Sequence, residues 1–109
     1  MIEDKKVEDA VLWIRDTATA AAKARSERHY LEEFRKAKKA ILMAQNDAKT
    51  VGEREMYAYA HPEYLQLLEG YKQAVESDEK YRWQLVSCEN LIEVWRTQNA
   101  NQRALGKIV

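Results

Sequence analysis

Apolar side chains recur at alternating spacings of three and four residues through much of the second half of the chain. The repeat begins at Tyr64 and ends at Trp95, and only one of its positions is charged. Its members are Tyr64, Leu67, Tyr71, Ala74, Asp78, Tyr81, Leu85, Cys88, Ile92 and Trp95. A heptad-like repeat of this kind is typical of a long helix that packs along another helix. The pattern therefore predicts long amphipathic helices that pack on each other.

The first half of the chain has helical spacing in two parts that do not share one phase. The apolar positions are Val7, Val11, Ile14, Ala18 and Ala21 in the first part, and Tyr30 or Leu31, Phe34, Ala37, Ile41 and Ala44 in the second. A polar segment, Arg25–His29, separates them, and Ser26 in it is a possible cap for a second helix. Since no Gly or Pro precedes Gly52, we expect one continuous helix from about Asp4 to about Asp47.

The few helix breakers divide the rest of the chain. Residues 49–52 form a predicted connector, and residues 53–60 a short helix that ends before His61-Pro62, because the residue before proline is pushed out of the α region. Pro62 then begins a last helix that reaches about Asn99 or beyond, and residues 107–109 are a tail. The predicted fold class is all-α, a long antiparallel helical hairpin with a short helix at the tip. At this length we expect a single domain over residues 1–109.

The net charge is zero, but the charges are unevenly distributed. Residues 23–39 hold seven bases and three acids, a net of +4, whereas residues 53–93 hold nine acids and four bases, a net of −5. One interpretation is a basic helix lying beside an acidic one. The alternative is that the basic segment binds nucleic-acid phosphates through Arg35, Lys36, Lys38 and Lys39.

No combination of residues indicates catalysis or a cofactor. Neither His29 nor His61 follows a glutamate by three residues, so the Glu-x-x-His pattern of helical metal sites is missing. One cysteine, Cys88, makes neither a zinc site nor an intramolecular disulfide, which suits a reducing cytoplasm. The chain has no glycine-rich phosphate loop and no apolar run that could span a membrane. We expect a cytoplasmic protein that is not an enzyme and has no cofactor, metal or small-molecule substrate.

Two apolar groups are candidates for partner binding. Tyr57 and Tyr59 lie at the predicted tip, where they could cap the hairpin core, anchor a protein interface or stack on single-stranded nucleic acid. Trp83, Val86 and Val94 form a second, weaker stripe on the last helix. A helix with two apolar faces requires two neighbours, so we expect a second protomer or the short helix to cover this stripe.

Asp78 is the one charged residue on the main stripe. We expect it to pair across the hairpin with Lys23, Arg25 or Arg28 and thereby to set the register of the two long helices.

The run from Glu53 to Tyr64, followed by Arg82-Trp83 and by residues 92–96 (Ile-Glu-Val-Trp-Arg), resembles small helical proteins of tailed phages and prophages. Those proteins are similar to ones encoded near single-strand-annealing recombination genes. The resemblance covers about the last sixty residues and, less clearly, residues 33–36. It implies an accessory phage role, in recombination or in countering the host, and it implies no site residues.

The main functional hypothesis is a non-enzymatic phage-type accessory protein that acts through helix-mediated protein–protein contacts. Its expected partner is a second copy, as a homodimer or larger oligomer, or another protein, and the location is the host cytoplasm if a phage encodes it. The alternative is a DNA-binding accessory factor in phage single-strand-annealing recombination.

Overall fold

The computed structural model describes residues 1–108, and this part of the chain folds into three α-helices without a strand. Helix α1 spans Asp4–Ala44, α2 spans Val51–Ala60 and α3 spans Pro62–Ile108. The continuous first helix through residues 25–29 is confirmed, and so is the all-α fold class. The tail predicted at residues 107–109 is wrong for residues 107 and 108, which belong to α3, and Val109 lies outside the described residues.

The helix ends differ from the predicted ones for local reasons. Helix α1 stops at Ala44 because Gln45 and Asn46 donate to carbonyls three residues back, at 3.1 and 3.2 Å, which tightens the last turn. Asn46 then accepts a hydrogen bond from the amide of Ala48 at 2.9 Å. Helix α2 begins at Val51, two residues earlier than predicted, because the Thr50 hydroxyl caps it by accepting from the amide of Glu53 at 3.2 Å.

Helix α3 continues to Ile108, well past Asn99. Residues 102–105 are Gln, Arg, Ala and Leu, all good helix formers, and Gly106 costs only about 1 kcal/mol inside a helix. The extension adds more than two turns to the face that the helix presents to solvent.

The chain divides into two compact units, which are described separately. The terminal unit consists of Met1–Ala21 and the part of α3 that starts at Lys80, and the central unit is Ala22–Glu79. The expectation of one domain over residues 1–109 stays a prediction.

In the terminal unit, the start of α1 packs against the end of α3. The amide of Ile2 donates to Oε1 of Gln98 at 2.9 Å, and Nε1 of Trp95 donates to Oδ1 of Asp4 at 2.9 Å. Val7 and Ala10 are buried here. The residue numbers rise along α1 while those of the contacting residues fall along α3, from Ile2 with Gln98 to Asp4 with Trp95, so the two segments run antiparallel.

In the central unit, all three helices meet in one small core. Leu42 of α1, Ala58 of α2 and Tyr64 of α3 are buried together, with Met43 and Leu68 packed against them. Leu42 is 0% exposed. Away from this core the α1 and α3 segments again pair antiparallel, since Arg28 meets Asp78 and Lys38 meets Glu63. The predicted hairpin with the short helix at its tip is therefore confirmed.

The inward face of α1 is the predicted one only in part. Its buried and half-buried positions include a row with a strict alternation of three and four residues, 7, 10, 14, 17, 21, 24, 28, 31, 35, 38 and 42, and residues 13, 32, 34, 39 and 43 are half-buried beside it. Val11 and Ile41, which the apolar pattern placed inward, are exposed. Of the alternatives Tyr30 and Leu31, Tyr30 is exposed and stacks on Phe34, whereas Leu31 is half-buried on this row. The physical reason is that Arg28, Arg35 and Lys38 occupy inward positions, where their stems can pack while the charged heads reach solvent.

Candidate functional site

The predicted second stripe on α3 is largely uncovered. Trp83 is 59% exposed and Val94 is 47% exposed, while Val86 is half-buried. The guanidinium of Arg82 lies 4.6 Å from the centroid of the Trp83 ring. Trp83 and Val94 are exposed within the described chain, and the cover expected for this stripe, a second protomer or the short helix, stays a prediction.

Leu105 belongs to the same stripe and was missed by the sequence argument. It is 58% exposed, and it follows Val94 by eleven residues, as Val94 follows Trp83. Eleven residues are close to three turns of an α-helix, so the three side chains line up along α3. The spacing is readable in the sequence, but the end of the last helix was predicted only as about Asn99 or beyond, so Leu105 was not placed on the stripe.

Tyr57 and Tyr59 are exposed on α2, on either side of the buried Ala58. The Tyr57 ring meets His61 edge-on at 5.5 Å, and the Tyr59 ring meets the buried Tyr64 edge-on at 5.4 Å. These contacts fit the interpretation in which the tyrosines cap the end of the hairpin core. Each ring keeps part of its surface toward solvent.

The four bases predicted to meet phosphate are each in contact with another group of the chain. Lys38 Nζ lies 2.6 Å from Glu63, Lys39 Nζ 3.5 Å from Glu55, and Lys36 Nζ 3.4 Å from Glu33. The Arg35 guanidinium lies 5.4 Å from the centroid of the Tyr71 ring. The structure thus uses this segment as the basic partner of acidic residues, and Lys36 is the one of the four that is exposed.

Three of these bases nevertheless line a common cleft with two tyrosines. Arg35, Lys36, Lys39, Tyr59 and Tyr64 surround a space of about 420 Å³ in the central unit. The ammonium of Lys39 lies 4.7 Å from the Tyr59 ring centroid. The pKa of Lys39 is raised above its ordinary value, first by the side chain of Tyr59 and then by Glu55. Its charge is therefore retained throughout the neutral pH range.

Asp78 pairs with Arg28, one of its three predicted partners. Nη1 of Arg28 donates to Oδ2 of Asp78 at 3.1 Å and to Oε1 of Glu79 at 3.0 Å. Hydrogen bonds to Glu79 and to Asp78 raise the pKa of Arg28. All three side chains are partly screened from solvent, and that of Asp78 is the least exposed. The cluster joins α1 to α3 inside the central unit, which is a structural role.

The ion pair of Lys38 and Glu63 predicts a dependence of stability on pH. The hydrogen bond from Lys38 lowers the pKa of Glu63 below its ordinary value of 4.5. This pair therefore stabilises the fold fully above about pH 4.5, and the contribution is lost as pH falls through the lowered pKa.

We expect Glu63→Gln to melt slightly below the parent at pH 7, with the difference in melting temperature closing toward pH 3. The effect is small because the Glu63 carboxylate is more than half exposed. A melting-temperature gap that widens in acid would contradict the pairing.

Within the described chain, no group of three or more His, Cys, Asp or Glu side chains lies close enough to hold a metal ion. None of its helices combines the length and apolar character needed to cross a membrane. The fold and its exposed faces define an all-α protein whose candidate sites are surfaces. Comparison with models of known families, with curated proteins and with solved structures finds no match.

Proposed function

We propose that the chain is a non-enzymatic accessory protein that acts through helix-mediated contacts with another polypeptide. The observation that supports this most is the row of Trp83, Val94 and Leu105 in solvent on α3. Tryptophan is among the residues most enriched at interface hot spots.

The terminal unit supports the proposal in a second way. The start of α1 packs on a neighbouring side of α3, where it bonds to Trp95 and Gln98, and it leaves Trp83, Val94 and Leu105 exposed. The Trp83 row is therefore available without any rearrangement of the fold. We further propose a phage origin and a cytoplasmic location, which rest on the resemblance of residues 53–64 and on the single cysteine.

Site-specific photo-crosslinking tests the protein-contact function. A photoreactive p-benzoylphenylalanine in place of Trp83 keeps an aromatic side chain at that position, and the same group at Gln84 is the matched control. Gln84 is exposed, but it lies about 100° around the helix from Trp83. On irradiation in the cells that naturally express the chain, we expect protein adducts from position 83 and few from position 84. Equal or absent adducts at both positions would refute the proposal.

The alternative function, a DNA-binding accessory factor in recombination, has one observation in its favour. The cleft of Arg35, Lys36, Lys39, Tyr59 and Tyr64 combines bases with aromatic rings, as surfaces that bind single strands do. Against it, Lys36 and Lys39 already face carboxylates of the chain. We therefore rank this function second.

A titration with a fluorescent single-stranded oligonucleotide at several salt concentrations tests the alternative. We expect weak or no binding, because neighbouring acids reduce the field of the basic segment. If DNA binding is the function, the logarithm of affinity falls with that of salt by about 0.7 per phosphate neutralised. Changing Arg35, Lys36, Lys38 and Lys39 to Gln would then remove most of that slope. Tight, salt-sensitive binding by the parent protein would reverse our ranking of the two functions.

A further inference from the structure

Between Trp83 and Leu105, helix α3 carries all of its charges on one side. Charged residues make up 33% of the chain, yet the four in this segment, Glu89, Glu93, Arg96 and Arg103, fall within an arc of about 80°. The side centred on the Trp83 row has none. We call this surface the uncharged face; its members are Trp83, Val86, Ser87, Asn90, Val94, Thr97, Gln98, Asn101, Ala104 and Leu105.

The composition of the uncharged face is that of an interface centre. Most of its members are exposed, and only Val86 and Gln98 are half-buried. The centres of protein interfaces are depleted in charged residues and enriched in aromatic ones, while the rest of a surface is not. Solvent by itself gives no reason to exclude charge from one side of an exposed helix in so highly charged a chain.

The face is also complementary to itself. Val94 lies midway between Trp83 and Leu105, eleven residues from each, which is about 16.5 Å along the helix axis. In an antiparallel pair centred on Val94, the large Trp83 of each copy meets the smaller Leu105 of the other. Ser87 meets Asn101, so neutral polar groups face each other as well. A parallel pair would instead oppose tryptophan to tryptophan at one end.

We propose that a second copy of this chain occupies the uncharged face, antiparallel and with its two-fold axis at Val94. The inference rests on the proposed function, since it names the polypeptide that the face binds. An isologous contact of this type uses one patch on both copies, which the symmetric spacing satisfies. The contact is about 33 Å long and one helix wide. The area that it buries on each partner is therefore smaller than the roughly 800 Å² of a standard interface. We therefore expect a dimer that dissociates at micromolar concentrations.

Disulfide trapping tests the register without removing the apolar residues. In a Cys88→Ser background, Ser87→Cys and Asn101→Cys are made in separate proteins, which are then mixed and oxidised. An antiparallel dimer gives a linked 87–101 heterodimer, whereas each protein alone stays largely unlinked. A parallel dimer gives the reverse result and would overturn the proposed register. Glu89→Cys, on the charged side of the helix, is the matched control and should link poorly to Asn101→Cys.

Light scattering over a range of concentrations tests the dimer itself. Val94→Glu brings two carboxylates together at the axis, and we expect the dimer to weaken by at least about tenfold. Gln84→Glu adds the same charge outside the face and should leave the dimer unchanged; circular dichroism checks that both variants remain helical. A parent protein that stays monomeric at several hundred micromolar would overturn the inference, as would a dimer that Val94→Glu does not weaken.

The crosslinking experiment at position 83 separates this inference from the function on which it rests. Adducts of twice the mass of the chain support both the self-association and the protein-contact function. Adducts with a different protein, together with a monomeric parent, overturn the self-association and leave the protein-contact function standing. The absence of adducts at position 83 removes the function and the inference together.

Discussion

Replacing Leu42 by alanine should lower the free energy of unfolding by about 2–5 kcal/mol. Leu42 is the one large side chain that is completely buried among the described residues, and it touches the small core where α1, α2 and α3 meet. Its loss leaves a space between Ala58 and Tyr64 that neither can fill, because Ala58 has only a methyl group and Tyr64 is held by its own packing. Urea unfolding followed by circular dichroism measures the effect.

The neighbouring Ile41 provides the control for this experiment. Ile41→Ala removes a side chain of the same volume from the same turn of α1, but from a position that is 48% exposed. We expect it to cost about 1 kcal/mol or less. Similar losses for the two variants would show that the core does not centre on Leu42.

Replacing Asp78 by lysine should lower the melting temperature by about 5–10 °C. The change puts a cation beside Arg28 in a partly screened site and leaves that arginine with Glu79 as its remaining partner in the cluster. Asp78→Leu removes the carboxylate without adding a like charge, so its melting temperature should stay the same or rise. Thermal melts of both variants, monitored by circular dichroism, measure the difference.

A charge exchange shows whether the effect comes from the pair itself. Arg28→Glu alone sets three carboxylates together, whereas Arg28→Glu combined with Asp78→Lys restores an ion pair across the two helices. The double variant should recover most of the stability lost by either single one. An unchanged melting temperature in Asp78→Lys would show that the position is not screened and does not set the register.

The sequence was sufficient to predict the fold class because its few helix-breaking Gly and Pro residues indicate where the helices begin and end. Pro62 begins α3, and no glycine or proline interrupts α1, so three helices in hairpin order were the consistent arrangement. The stripe on α3 was readable because its inward positions are mostly apolar. Asp78 drew notice as the exception on that stripe, but only the register of the two helices decides that its partner is Arg28.

The inward face of α1 could not be predicted from apolar periodicity. Arg28, Arg35 and Lys38 lie on that face. They interrupt the apolar pattern in the sequence, although the helix packs inward along the whole row. Leu42 and Ile41 are equally apolar, and nothing local indicates which of the two is buried. The pattern selected Ile41, and the structure buries Leu42 because it continues the alternation of three and four residues.

The exposed apolar residues of α3 were predicted in part for a related reason. Trp83 and Val94 stood out as apolar residues off the main stripe, and the structure leaves both in solvent. Leu105 went unnoticed because Asn99 and Asn101 precede it, and asparagine lowers the apparent helical signal. The sequence left open whether the bases of residues 35–39 lie beside an acidic helix or bind phosphate, because Glu55 and Glu63, the partners of Lys39 and Lys38, lie far along the chain.

The small core at the α2 end has a consequence for the order in which the chain folds. Leu42, Ala58 and Tyr64 lie within 22 residues of each other in sequence, whereas the bond from Ile2 to Gln98 closes a loop of 96 residues. Closing a short loop costs less chain entropy than closing a long one. We therefore expect folding to nucleate where α2 joins the two long helices. Pairing of the long helices then propagates toward the chain ends, so the face around Val94 forms late. Pulse-labelled hydrogen exchange that protects the amides near Trp95 before those near Leu42 would exclude this order.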